Sequence, residues 1–333
     1  MELHYFLTTN GSKGHKSFKE HAFDSFRDVI YLSGFPRSVA ASLLLECYTI
    51  AKQSRMNIDV IHNCLDNSME GIVLPDLKTA VMNVPLYEPR TDITTLFKND
   101  ALSLYHAQME KAYDAFAEAK DIHDEWEKIY ITSTDYAALD QFSKETVERL
   151  LSGHSTTHPG SICHRFFGSA TINGSVDFIN LLSSGTKRYF IKGRPGTGKS
   201  TFLKKVTAAA CDKGFHVECY HCSFDPNSLD MVVIRELNLC LFDATAPHEY
   251  DPSLPSDEVL DVYAAAVKPD TDTVFAKEIK EIARCYRAAI DNAIKHIIAA
   301  NEACLRAEND FGTQIDGDAL MTLRKNIISR LLP

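Results

Sequence analysis

The octapeptide Gly193-Arg194-Pro195-Gly196-Thr197-Gly198-Lys199-Ser200 satisfies G-x-x-x-x-G-K-[ST] at every position. In such a loop the glycines let backbone N–H groups turn inward around phosphate oxygens. A helix starting directly after the loop adds its partial positive charge. Lys199 is placed to reach the β- and γ-phosphates, and the Ser200 hydroxyl to ligate Mg²⁺. The stretch Gly193 to Thr201 is therefore expected to bind a nucleoside triphosphate. No N/T-K-x-D guanine-reading sequence is evident, which favours ATP over GTP.

A carboxylate at the end of a neighbouring strand normally supports the metal. The apolar run Leu237 to Phe242 ends in Asp243, which suits that role, although Asp also favours helix and turn caps. Asp225 follows another apolar run, Phe215 to Cys222; it could face an acceptor substrate or simply form the turn before Pro226. His221 reads as a core histidine or a site residue. Cys219 and Cys222 make a C-x-x-C, but without a second ligand pair they read as small buried hydrophobes rather than a zinc site. His248, Asp251, Asp257 and Glu258 are further candidates for positioning water or substrate, or a solvated loop. Arg284 and Arg287 are the arginines that could approach a transition state.

The elements that must hold these residues come from a duplication. His4-Tyr5-Phe6-Leu7 resembles His164-Arg165-Phe166-Phe167, an offset of 160, and Gly14 and Phe18 meet Gly174 and Phe178. Val29 to Gly34 matches Arg188 to Gly193 at an offset of 159, and His62 meets His221. Farther on, the stripe Ala101, Tyr105, Met109, Ala112, Phe116, Ala119, Trp126, Tyr130 recurs at an offset of 181. Its second copy is Ile282, Tyr286, Ile290, Ala293, Ile297, Ala300, Ala307 and Phe311. Steps of three and four predict a long amphipathic helix in each copy. A shorter helix follows, ending at Arg149-Leu150-Leu151 and Arg330-Leu331-Leu332. These arms could pack on each other or dock a partner protein. The growth in offset puts about 20 extra residues between Pro247 and Ile279.

The expected fold is α/β: a duplicated P-loop NTPase fold, each copy a parallel sheet with flanking helices and a long helical arm. The copies span 1–151 and 162–333, joined by a linker at 152–161. The first copy carries Val39-Ala40-Ala41 where the second has Gly198-Lys199-Ser200, and Asn83 where the second has Asp243. It lacks the groups that compensate phosphate charge, so it is expected to be a pseudo-site.

Lys192 to Thr201, then Tyr220-His221-Cys222 with Asp225, Ser228, Leu229 and Asp230, then Asp243 to His248 resemble a bacterial family of tandem-repeat P-loop ATPases. That family is sometimes labelled nucleotide-kinase-like and has no assigned substrate. The resemblance covers nearly the whole chain and implies the fold and ATP binding. The family carries P-loops in both halves, so the degenerate first half is a departure.

Composition sets the wider limits. Of 333 residues, 45% are hydrophobic and 24% charged, enough apolar material for two cores. A net charge of −10 without a basic run argues against nucleic acid. Nine scattered cysteines suit reduced thiols. Met1 to Leu7 has no leader character and no apolar run approaches membrane-spanning length, so a cytoplasmic, membrane-free protein is expected. The leading function is an Mg²⁺-dependent ATPase. The alternatives are a kinase that phosphorylates a small molecule or nucleotide with Asp225 near the acceptor, and a non-catalytic ATP-binding module whose arms recruit a partner.

Overall fold

The computed structural model describes the chain except residues 34, 86, 88–99, 247–248, 313–316 and 332–333, and the side chains of 311 and 312. Its first half runs β1 (Glu2–Phe6), β2 (Thr8–Gly11), β3 (Gly14–Ser17), α1 (Lys19–Ala22), β4 (Asp28–Ser33), α2 (Arg37–Gln53), β5 (Ile58–His62), β6 (Met69–Leu74) and β7 (Thr79–Val84), then the long α3 (Asp100–Ile131) and α4 (Tyr136–Leu151). The second half runs through the same succession: β8 (Ser161–Phe166), β9 (Gly168–Thr171), β10 (Gly174–Asp177), α5 (Ile179–Leu182), β11 (Lys187–Lys192), α6 (Lys199–Asp212), β12 (His216–His221), β13 (Leu229–Ile234) and β14 (Leu239–Asp243). It then inserts β15 (Glu258–Asp261), α7 (Val262–Ala266) and α8 (Thr271–Val274) before α9 (Ala276–Gly312) and α10 (Gly317–Leu331). The insertion falls in the segment where the sequence offset grows.

The sheet departs from the expected pair of parallel sheets in two ways. Among the described residues it is one continuous sheet of eleven strands, ordered β15-β11-β14-β13-β12-β8-β1-β5-β6-β7-β4. It is also mixed: β6 and β13 run against the other strands of their halves. The connections explain this. Segment 63–68 is too short for a crossover, and β6 returns to β7 through a single 3-10 turn ending at Lys78 in the left-handed region, φ 49°. The two halves meet antiparallel at one residue pair, Phe6 and Phe166. The junction is locked by stacking of Phe18 on Phe166 at 4.7 Å and of Phe6 on Phe178 at 5.5 Å. Arg165 reinforces it, lying over the Tyr5 ring at 4.2 Å and within 3.6 Å of Asp59 and 3.7 Å of Glu218.

The helical arms do not stay with their own halves. The stripes of α3 and α9 meet along Met109, Ala112, Phe116, Ala293, Ile297 and Ala300, the small residues allowing close approach. Beyond them the closing helices are exchanged. In α4, Leu139, Leu150 and Leu151 pack into the core of the second half with Ile191, Phe202 and Val206. In α10, Ile327 and Leu331 pack into the first half with Leu43, Leu44 and Val81. Residues 152–160 are pinned to the second half, where Thr156 bonds Lys213 and Gly214. No helix among the described residues is long and apolar enough to cross a membrane, and none of the nine cysteines forms a disulfide.

Candidate active site

β11 is buried through Tyr189, Phe190 and Ile191, and the loop that leaves its carboxyl end carries the G-x-x-x-x-G-K-S sequence. Two of its glycines stand in the left-handed region that L side chains rarely adopt, Gly196 at φ 76° and Gly198 at φ 86°. Space is tight as well, most strictly at Gly196, where the neighbour is backbone. A Cβ on Gly196 would lie 2.8 Å from the Glu127 carbonyl oxygen, and one on Gly198 would lie 2.6 Å from Leu139 Cδ2. Thr197, fully buried, staples the loop: its hydroxyl donates to the Arg194 carbonyl at 2.8 Å and accepts from the Arg194 N–H at 3.2 Å. α6 begins at Lys199, so the loop ends on a helix N-terminus.

The charged groups converge there. Lys199 Nζ donates to the Arg194 carbonyl at 2.7 Å and lies 3.5 Å from Asp243 Oδ2. Asp243 closes β14, which runs beside β11 in parallel with Asp243 opposite Ile191. Its Oδ1 accepts from the Thr245 N–H and hydroxyl, so it caps a turn while its other oxygen faces the lysine. Ser200 Oγ accepts from the Leu229 N–H at 2.9 Å. Arg194 turns outward to Asp272 at 2.7 Å, and Asp272 also accepts from the Tyr130 hydroxyl, which ties the loop to the insertion and to α3.

The loop opens into a cleft of about 580 Å³ that both halves line. The second half contributes residues 195–201, Asp225, Asp243 and, from α9, Tyr286 and Arg287; the first contributes Asn10, Phe116, His123 and Glu127. Asp225 does two things. Its Oδ1 accepts from the Asn227 N–H in a turn, and its carboxylate faces Lys120 at 3.8 Å and Lys13 at 3.9 Å, both from the first half. Burial pushes the Glu127 carboxyl above the usual carboxylate range, against the pull of Lys120. Burial, with Lys120 and Lys199 nearby, pulls the His123 imidazole down to about 4.

Several sequence candidates sit elsewhere. His221 belongs to the junction, its ring nitrogens engaged by the Pro226 carbonyl at 2.8 Å and His164 at 2.9 Å. Cys219 is buried beside Thr207, whereas Cys222 lines the cleft. Asp251, Asp257 and Glu258 do not line the cleft; they pair with Lys192, with Arg188, and with Arg149 and Lys187. The inserted segment uses those acids to hold β15 beside β11. Arg284 pairs with Glu281 on the outside of α9, while Arg287 reaches the cleft. His248 lies outside the described residues.

Lys120, His123 and Glu127 are the site residues that sequence reasoning missed, because they come from the other half. A signal existed: Glu127 and Glu308 match at the offset of 181. In the first half Glu308 has a visible task. Arg37, at the position of Gly196, is 4% exposed and donates to Glu308 at 2.8 Å, Asp66 at 2.6 Å and Asn301 at 3.0 Å. At the position of Gly196 the first half thus carries a buried arginine with three side-chain partners. No family model, curated protein or solved structure matches the chain.

Proposed function

We propose that the chain is an Mg²⁺-dependent P-loop ATPase of duplicated architecture, with one competent site in its second half and a closed one in its first. The observation that carries this reading is the convergence of Lys199, Asp243 and the start of α6 on a loop whose Gly196 and Gly198 stand at positive φ. That loop fits a polyphosphate, and the donor set fits its counterions. Backbone N–H groups of 196–201 and Lys199 would hold the phosphates, Lys199 exchanging the Arg194 carbonyl for them. Ser200 and Asp243 would hold Mg²⁺, which supplies charge compensation for the phosphates. Ser200 Oγ spends one lone pair on the Leu229 N–H and keeps another for the metal. Glu127 is a carboxylate on the cleft wall that could accept a proton from water, and burial raises its basicity above that of an ordinary carboxylate.

A second reading, transfer of the γ-phosphoryl group to a small acceptor, is favoured by the extent of the cleft. It continues past the loop to Asp225, Tyr286 and Arg287, farther than a water nucleophile requires. Recruitment of a partner through the arms is less supported, because α3 and α9 cover each other's stripes. Incubation with γ-labelled ATP and a metabolite panel separates the readings. Label in inorganic phosphate supports the ATPase, label on a metabolite the kinase, and binding without turnover the recruiting module.

A further inference from the structure

The two halves fill corresponding space in different ways. In the first, Tyr87 lies over Arg37, its ring 5.9 Å from the guanidinium carbon. The same ring is 4.8 Å from that of Tyr105 and tilted by 30°, and its hydroxyl accepts from Asn63 at 2.7 Å. Tyr87 thus lies between Arg37 at the start of α2 and Tyr105 on α3. In the second half, the residue corresponding to Tyr105 is Tyr286, which lines the cleft. Tyr87-Glu88-Pro89 has its counterpart in Tyr250-Asp251-Pro252. Tyr250, however, is turned away: its hydroxyl donates to Asp177 at 2.7 Å and its ring packs on Phe242 at 6.2 Å. Tyr286 instead meets other rings edge-on or tilted, Trp126 at 6.3 Å among them, and lines the cleft.

The walls there are aromatic. Phe224 stands edge-on to Tyr286, ring centres 5.7 Å apart and planes at 89°, and His123 lies 5.7 Å from Tyr286. Asp225 and Arg287 supply polar partners at the rim. Walls of this kind hold a flat ring better than a flexible chain, and a few polar groups fix its orientation.

We propose that the space between Tyr286 and the phosphate loop is a subsite for a planar heteroaromatic ring, stacked on Tyr286 as Tyr87 is on Tyr105. The proposal rests on the reading of 193–201 as a phosphate loop. The ring is either the base of the bound nucleotide or part of a second, acceptor molecule. Calorimetry on the wild type, Tyr286→Ala and Tyr286→Phe distinguishes these sources. The titrants are Mg²⁺-tripolyphosphate, Mg²⁺-ATP, and adenosine added to protein saturated with a non-hydrolysable ATP analogue. Tripolyphosphate should bind all three proteins equally, which reports on the loop alone. If the ring is the nucleotide's base, Tyr286→Ala lowers ATP affinity about tenfold and Tyr286→Phe restores it. If it belongs to an acceptor, ATP affinity holds and adenosine binding to the loaded protein is lost in Tyr286→Ala. A Tyr286→Ala protein that matches wild type for both ATP and adenosine overturns the subsite. Failure of tripolyphosphate to bind the wild type overturns the phosphate-loop reading instead. The ring site is then judged by adenosine alone, whose binding must require Tyr286.

Discussion

Arg37→Ala probes the closed first-half site, and its consequence can be worked from the contacts. The substitution removes a guanidinium that is 4% exposed and leaves Glu308, also 4% exposed, as an uncompensated buried carboxylate. Breaking a buried pair by deleting one partner costs about 3–5 kcal/mol, because the remaining charge has lost both water and its partner. Asp66, with 18% of its side chain exposed, recovers some hydration, which places the expected loss toward the lower end of that range. Urea unfolding of the wild type, Arg37→Ala, Glu308→Gln and the double variant forms a cycle that isolates the pair. Glu308→Gln should cost less in the Arg37→Ala background than in the wild type. Nucleotide binding should persist at one site per chain, since Lys199 and its loop are untouched. An Arg37→Ala loss below about 1 kcal/mol, or additive single and double variants, would refute the view that Arg37 is a built-in occupant of a closed site.

Three more outcomes follow from the same contacts. Leu151→Ala, though encoded with the first half, should destabilise the second half by about 2–5 kcal/mol, because Leu151 is fully buried in that core; hydrogen exchange in α6 that is unchanged by it would contradict the helix exchange. Burial holds the His62, His123 and His221 imidazoles at about 4, below the usual 6.5. The unfolded chain therefore binds more protons between those values, and stability, complete above pH 6.5, should drop as pH falls toward 4. The drop is of the order of 3 kcal/mol for each histidine, and a urea midpoint flat from pH 7.5 to 4.5 would contradict it. Asp243→Asn should lower Mg²⁺-dependent turnover roughly 10–100-fold while sparing metal-free nucleotide binding; unchanged turnover would move the metal-supporting role to another carboxylate.

The parts of the molecule written in local sequence were legible. Glycines at 193, 196 and 198 before Lys199 pointed to a tight loop between a strand and a helix, and β11 and α6 flank it. The stripes through Tyr105 and Tyr286 foretold α3 and α9 because helical periodicity is a local property. What stayed hidden was the relation between distant segments. Nothing within 136–151 says that Leu150 and Leu151 pack on the second half, and nothing around Glu127 places it over Gly196. The antiparallel course of β13 was obscured because a strand buried on both faces looks alike in either direction. Asp257 looked like a site residue by position, but its pairing with Arg188 depends on where β15 joins the sheet.

On the proposed function, only the second-half loop is competent to bind a nucleotide. Titration calorimetry of Mg²⁺-ATP into the intact chain tests it directly, run beside Lys199→Ala. The expected result is one molecule bound per chain, with affinity lost in Lys199→Ala while the fold, followed by circular dichroism, is kept. Two equivalent sites, or full affinity in Lys199→Ala, would contradict the account.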